Sequence, residues 1–242
     1  MKTPSRKPLT KSLVSILIAN ALAVSGIAHA AGETTSLGSK VGDQNAYAST
    51  AWSSISGDGR YTVLMASDGF VPGIFLYDRF TKTSKKLTAQ SNSSSSAADI
   101  SANGRFVAFN SGASNLVAND TNNFTDIFVQ DLQTGKNELI SKAADGTPSN
   151  DLSYFSAISA DGRFVAFTSA ASNLVANDTN TSADAFVRNR KTGKTTRVSV
   201  SSAGTEAVWG VGSNGIVDIS GDGRFVVFSS GSNNLVTGDD TT

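Results

Sequence analysis

Two loops of this 242-residue chain carry oxygen ligands at a spacing that could hold a hard cation. Asp120, Asn122 and Asp126 form Asp-x-Asn-x3-Asp, and Asp178, Asn180 and Asp184 repeat it. Alternating carboxylate and amide oxygens with a further carboxylate suit Ca²⁺, which takes about six to eight oxygens in flexible geometry. The match is partial. Neither loop has the turn glycine of an EF-hand or its closing bidentate Glu, and the carboxylates are too few for a tight cage. The same side chains would serve equally as Asx turns, their oxygens capping the loop's own N–H groups. Among the aromatics in or near connectors (Trp52, Phe124, Tyr154, Trp209), Phe124 stands out as a binding residue, because it sits mid-loop among polar neighbours.

Other chemistry is sparser. Asp58, Asn103, Asp161 and Asp222 recur in one local context, which suits a turn needed in every repeat rather than a catalytic group needed once. Asn103 in place of an acid would also spoil general acid–base work. The repeated Arg60, Arg105, Arg163 and Arg224 are placed to pair with local carboxylates or to cover aromatic faces. Gly210, Gly212 and Gly215 satisfy Gly-x-Gly-x-x-Gly but precede a strand-like Ile216-Val-Asp-Ile-Ser220, whereas dinucleotide binding needs a helix there. Glu138 and Glu206 are scattered, unrepeated acids.

The chain has no Cys, and its single histidine is His29. Lys2, Arg6, Lys7 and Lys11, an apolar run over 13–28 and Ala28-His29-Ala30 together form a secretory signal with a cleavage site after Ala30. An uncleaved membrane anchor is the alternative, since the run approaches a bilayer span. Cleavage leaves residues 31–242 without His or Cys, hence without a Ser-His-Asp triad, a Cys nucleophile or a zinc site of the usual ligands. It also takes four of the 20 cations, leaving sixteen against 20 acids and a net charge of −4. That balance offers no footprint for nucleic acid, and no stable membrane insertion is expected once the signal is gone.

The elements that must position these residues form a repeat. Ile55-Ser-Gly-Asp-Gly-Arg-Tyr61, Ile100-Ser-Ala-Asn-Gly-Arg-Phe106, Ile158-Ser-Ala-Asp-Gly-Arg-Phe164 and Ile219-Ser-Gly-Asp-Gly-Arg-Phe225 start 45, 58 and 61 residues apart. Each places an apolar strand before Asp-Gly or Asn-Gly, a strong hairpin signal because both residues tolerate positive φ. A second strand follows and reads as alternating (Arg163-Phe-Val-Ala-Phe-Thr-Ser169), then a third such as Asp126-Ile-Phe-Val-Gln-Asp131. A turn at Thr81-Lys82, Thr134-Gly135 or Thr192-Gly193 leads to a fourth strand around Leu87, Ile140 and Val198. The unequal periods come from loops and connectors alone, which predicts an all-β chain of four-stranded units near 46–90, 91–147, 148–205 and 206–242.

The run Ile-Ser-Ala-Asp-Gly-Arg-Phe-Val-Ala-Phe-Thr-Ser resembles the repeat of TolB-like propellers, the WD40-like PD40 repeat. The resemblance implies a β-propeller of four-stranded blades over residues 31–242, with three blades and a fourth that breaks off at Asp239-Asp240-Thr241-Thr242. Propellers close with roughly four to eight blades, so the chain is expected to be part of a longer protein or to close its ring by self-association. The resemblance further implies a non-enzymatic scaffold, periplasmic or secreted, binding protein or carbohydrate through its blade loops. Two alternatives stand beside it. One is a Ca²⁺-stabilised structural or adhesive array. The other is the propeller part of a hydrolase or lyase whose site lies in further blades.

Overall fold

The computed structural model describes residues 47–67, 71–118, 120–211 and 216–236, so the signal read at 1–30 and the close of the fourth unit lie outside it. Three four-stranded antiparallel sheets follow one another along the chain, each strand pairing with the next in sequence. The first holds β1 (Tyr47–Ile55), β2 (Tyr61–Ser67), β3 (Gly73–Asp78) and β4 (Thr83–Lys86). The second holds β5 (Ser95–Ile100), β6 (Phe106–Ser111), β7 (Asp126–Asp131) and β8 (Asn137–Leu139). The third holds β9 (Ser153–Ile158), β10 (Phe164–Ser169), β11 (Asp184–Asn189) and β12 (Lys194–Arg197). A hairpin of β13 (Val217–Ile219) and β14 (Val226–Phe228) begins a fourth.

The hairpin between the first two strands of each sheet is one structure built four times. Ser56 Oγ donates to Asp58 Oδ1 (2.6 Å), which also accepts from the Arg60 N–H (3.0 Å), while Tyr61 N–H donates to Ser56 Oγ (3.0 Å). Ser101/Asn103, Ser159/Asp161 and Ser220/Asp222 make the same set. Only an acceptor oxygen is required, which is why Asn103 substitutes for Asp. The glycine that follows has positive φ in all four turns, from 68° to 75°. In the last three it also lies against an aromatic ring of the preceding sheet, Tyr61, Phe106 or Phe164. A Cβ on Gly162 would come within 2.1 Å of Phe106, and one on Gly223 within 2.3 Å of Phe164. The turns thereby lock each sheet to the last, helped by Gly57 N–H to Ala102 O (2.9 Å) and Asn103 N–H to Ala160 O (3.1 Å).

The second strand departs from the polar–apolar alternation expected of it. Val107, Ala108 and Phe109 are all buried, as are Val165, Ala166 and Phe167, because both faces of each sheet are covered. What alternates is size. Val107 and Phe109 join the core against the first sheet with Val63 and Ile74, while Ala108 joins the core against the third with Val165 and Phe167. Large side chains on one face thus meet small ones on the next, and the core lies between sheets rather than inside any one. Each buried Val or Phe contributes about 2 kcal/mol. Stacked pairs across neighbouring strands, Phe109–Phe128 (5.9 Å between centroids) and Phe167–Phe186 (5.6 Å), fix the register of the middle of the sheet. Sequential four-stranded meanders stacked face to face are the blades of a β-propeller, and among the described residues they form an open arc.

Candidate functional site

The loops between the second and third strands, and the connectors between blades, share one rim of the arc. Asn115, Asn173 and Asn234 each donate through Nδ2 to a connector carbonyl, at Gln90 (2.6 Å), Pro148 (2.9 Å) and Glu206 (2.8 Å). The first two tie the Asp-x-Asn loops to the connectors, and the third does the same for the loop of the fourth unit.

In the second blade the loop residues converge. Asp126, fully buried at the head of β7, accepts at Oδ1 from Ser141 Oγ (2.5 Å) and Ser149 Oγ (2.7 Å). Its Oδ2 accepts from Asn122 Nδ2 at 2.8 Å. The Asn122 oxygen is turned to its own loop, where it accepts from the Phe124 N–H (3.0 Å) as an Asx turn. Asp120 is 7 % exposed, and its Oδ1 is buried with no hydrogen-bonding partner among the described residues. Burial, with the charge of Asp126 added, pushes its carboxyl up to about 6 against a hydrogen bond from the Asn122 N–H. Burial also raises Asp126, against the hydrogen bonds from Ser141, Ser149 and Asn122.

The third blade builds the same frame and completes it differently. Asp184 is fully buried and accepts from Ser199 Oγ (2.5 Å) and Asn180 Nδ2 (3.1 Å), while Asn180 Oδ1 caps the Ser182 N–H (2.9 Å). Here Arg197, the last residue of β12, puts Nη1 3.3 Å from Asp178 Oδ1, 3.2 Å from Asp184 Oδ2 and 2.7 Å from Glu206 Oε2. Asp178, Asp184 and Glu206 lie close enough to hold a metal ion together, but the guanidinium already touches all three. Thr179 Oγ1 and N–H also donate to Glu206. Burial still raises the Asp178 carboxyl, with Asp184 adding to the shift and Arg197 opposing it.

The structure therefore brings both sequence-predicted triplets together, and to the third-blade one it adds Arg197, absent from the sequence reading, and Glu206, read there only as a scattered acid. A signal for them exists: with the second unit laid on the third at an offset of 58, Leu139 and Pro148 fall opposite Arg197 and Glu206. Phe124 is half-buried. Trp209 is the more exposed aromatic of the rim at 68 %, while Tyr154 is half-buried and Trp52's side chain is outside the described residues. Of the Gly-x-Gly-x-x-Gly match only Gly210 is described, and no helix follows among the described residues. The repeated arginines lie over their neighbouring rings, 4.7 Å for Arg60–Tyr61 and 4.9 Å for Arg105–Phe106. Two also pair with the end of the third strand, Arg60 with Asp78 and Arg105 with Asp131, both at 2.8 Å.

No family model matches the chain, and no curated protein matches it. Solved structures similar in fold include TolB from Acinetobacter baumannii, with 18 % identity over 76 % of this chain and 44 % of that one, at a TM-score of 0.46. A putative TolB from Agrobacterium tumefaciens shares 18 % identity over 63 % of this chain and 48 % of that one, at 0.44. An oligogalacturonate lyase from Vibrio parahaemolyticus shares 14 % over 60 % and 38 %, at 0.38. The chain spans less than half the length of each.

Proposed function

We propose that this chain is an exported, non-catalytic propeller scaffold that binds a protein or carbohydrate ligand at the rim of its blade loops and connectors. The observation that carries this reading is Trp209. Its indole is exposed on the connector between the third and fourth blades, yet the backbone beneath it is fixed. Trp209 N–H donates to Ser232 Oγ (2.9 Å) and Val208 N–H to Asn234 Oδ1 (3.1 Å). A rigid, exposed aromatic supplies a large contact area at low entropic cost, and its face suits the apolar side of a sugar ring or an apolar side chain. The recurring carboxylates are meanwhile engaged in turn caps and ion pairs, which supports binding rather than acid–base chemistry.

Affinity electrophoresis of residues 31–242 through a panel of soluble polysaccharides, run beside immobilised envelope proteins, tests the reading. Retardation by one ligand that Trp209→Ala abolishes supports it. Retardation that Trp209→Ala leaves unchanged moves the site elsewhere. Export rests on the leader alone; cell fractionation and N-terminal sequencing should find a periplasmic or secreted chain beginning at Ala31, and a cytoplasmic chain retaining Met1 would reject it.

A further inference from the structure

The two Asp-x-Asn loops differ in what neutralises them. Leu139 pairs with Phe128 across β8 and β7 on the same rung where Arg197 pairs with Phe186 across β12 and β11. Pro148 bridges Lys142 as Glu206 bridges Val200. The equivalence is thus structural as well as sequential. In the third blade an acidic pair, Asp178 and Asp184, meets a guanidinium that the chain itself supplies, with Glu206 as a third partner. In the second blade Asp120 and Asp126 keep the acidic pair, but Leu139 brings no charge to it. Asp120 Oδ1, the counterpart of the oxygen facing Arg197, is nine-tenths buried and unpartnered among the described residues. A buried carboxylate oxygen without a donor or a cation is costly.

We infer that the second blade binds a single hard divalent cation between Asp120 and Asp126, at the position Arg197 Nη1 holds in the third blade, and that the third blade binds none. The two carboxylates supply the charge. The Asn122 oxygen is not a ligand, since it caps the Phe124 N–H. Ca²⁺ fits better than Mg²⁺ here, because Mg²⁺ demands near-octahedral geometry and gives up its waters reluctantly. With two carboxylates and no bidentate Glu, the Kd falls in about the 10⁻⁵ to 10⁻³ M range.

The test is a calorimetric titration of chelator-stripped chain with CaCl₂, repeated with MgCl₂ and with Asp120→Asn and Asp178→Asn. The expected result is one Ca²⁺ per chain, at least tenfold weaker Mg²⁺ binding, loss of the site in Asp120→Asn and retention of it in Asp178→Asn. Circular dichroism confirms that each variant is folded. Zero or two Ca²⁺ per chain overturns the inference without recourse to any variant. So does a site that survives Asp120→Asn, or one that Asp178→Asn abolishes. Mg²⁺ binding as tight as Ca²⁺ overturns the choice of ion.

Discussion

The second and third blades are built to one plan and electrically finished in two ways. Their strands have matching lengths apart from a one-residue difference in the fourth, and their turns, loop staples and buried aspartates correspond at an offset of 58 residues. In the second, Ser141 and Ser149 both donate to Asp126, and Asp120 Oδ1 is left without a hydrogen-bonding partner among the described residues. In the third, Ala207 stands where Ser149 was, and Arg197 takes over, binding two buried aspartates and Glu206. The difference teaches that the repeat motif specifies the frame of the loop, whereas its charge balance is decided in the fourth strand and the connector. Two loops of nearly identical sequence are thus neutralised by different groups.

The largest expected effect is at Arg197. Arg197→Leu takes the guanidinium from the third blade and leaves three carboxylates facing one another, one more than the second blade has. Removing one partner of a largely buried pair costs about 3–5 kcal/mol, so urea unfolding without metal should fall toward the low end of that loss, Glu206 being partly exposed. The same variant should take up a second Ca²⁺ and recover part of its stability. A loss below about 1 kcal/mol would mean that Arg197 is not what balances the third blade. Next is Ser149→Ala, which removes one of two hydroxyls on Asp126 and should cost about 1 kcal/mol. Ala207→Ser in the third blade should gain nothing, because Asp184 already has Ser199 and Arg197. Equal effects at the two positions would erase the distinction.

The smallest effect is in the acid range. The Arg105 guanidinium holds the Asp131 carboxyl down to about 2, while the third blade has non-titrating Asn189 at that place. A depressed carboxyl stabilises the fold above its unfolded value near 4 and loses that contribution as pH falls toward 2. Because the pair is partly exposed, the loss should stay within about 1 kcal/mol. Asp131→Asn should flatten this part of the stability–pH curve, and Asn189→Asp, which adds a carboxylate at the equivalent place, should deepen it.

The frame was legible because it is local. Ser-x-Asp-Gly-Arg needs only an acceptor oxygen and a positive-φ glycine, and both can be read from residue type. Lys82, at φ 57°, shows the turn geometry persisting even where the first blade lacks the glycine found at Gly135 and Gly193. The alternation of the second strand was misread because Ala and Val both count as apolar, and only the stacking of blades reveals that small residues face one neighbour and large ones the other. Phe124 looked exposed in sequence because its neighbours are polar, but the Asx turn at Asn122 folds it partly inward. Arg197 was hidden for another reason. It sits in a short fourth strand, and its three acidic partners come from a loop, a strand and a connector up to 28 residues apart.

The most direct test of the account compares Asp120→Asn with Asp178→Asn by urea unfolding in the presence of chelator. The two residues occupy the same place in sister blades, so a purely structural loop would suffer equally from either change. The account predicts opposite signs. Asp120→Asn removes an uncompensated buried carboxylate and should stabilise by about 1–2 kcal/mol, whereas Asp178→Asn takes a partner from Arg197 and should destabilise by a similar amount. Losses of the same sign and size at both positions would contradict it.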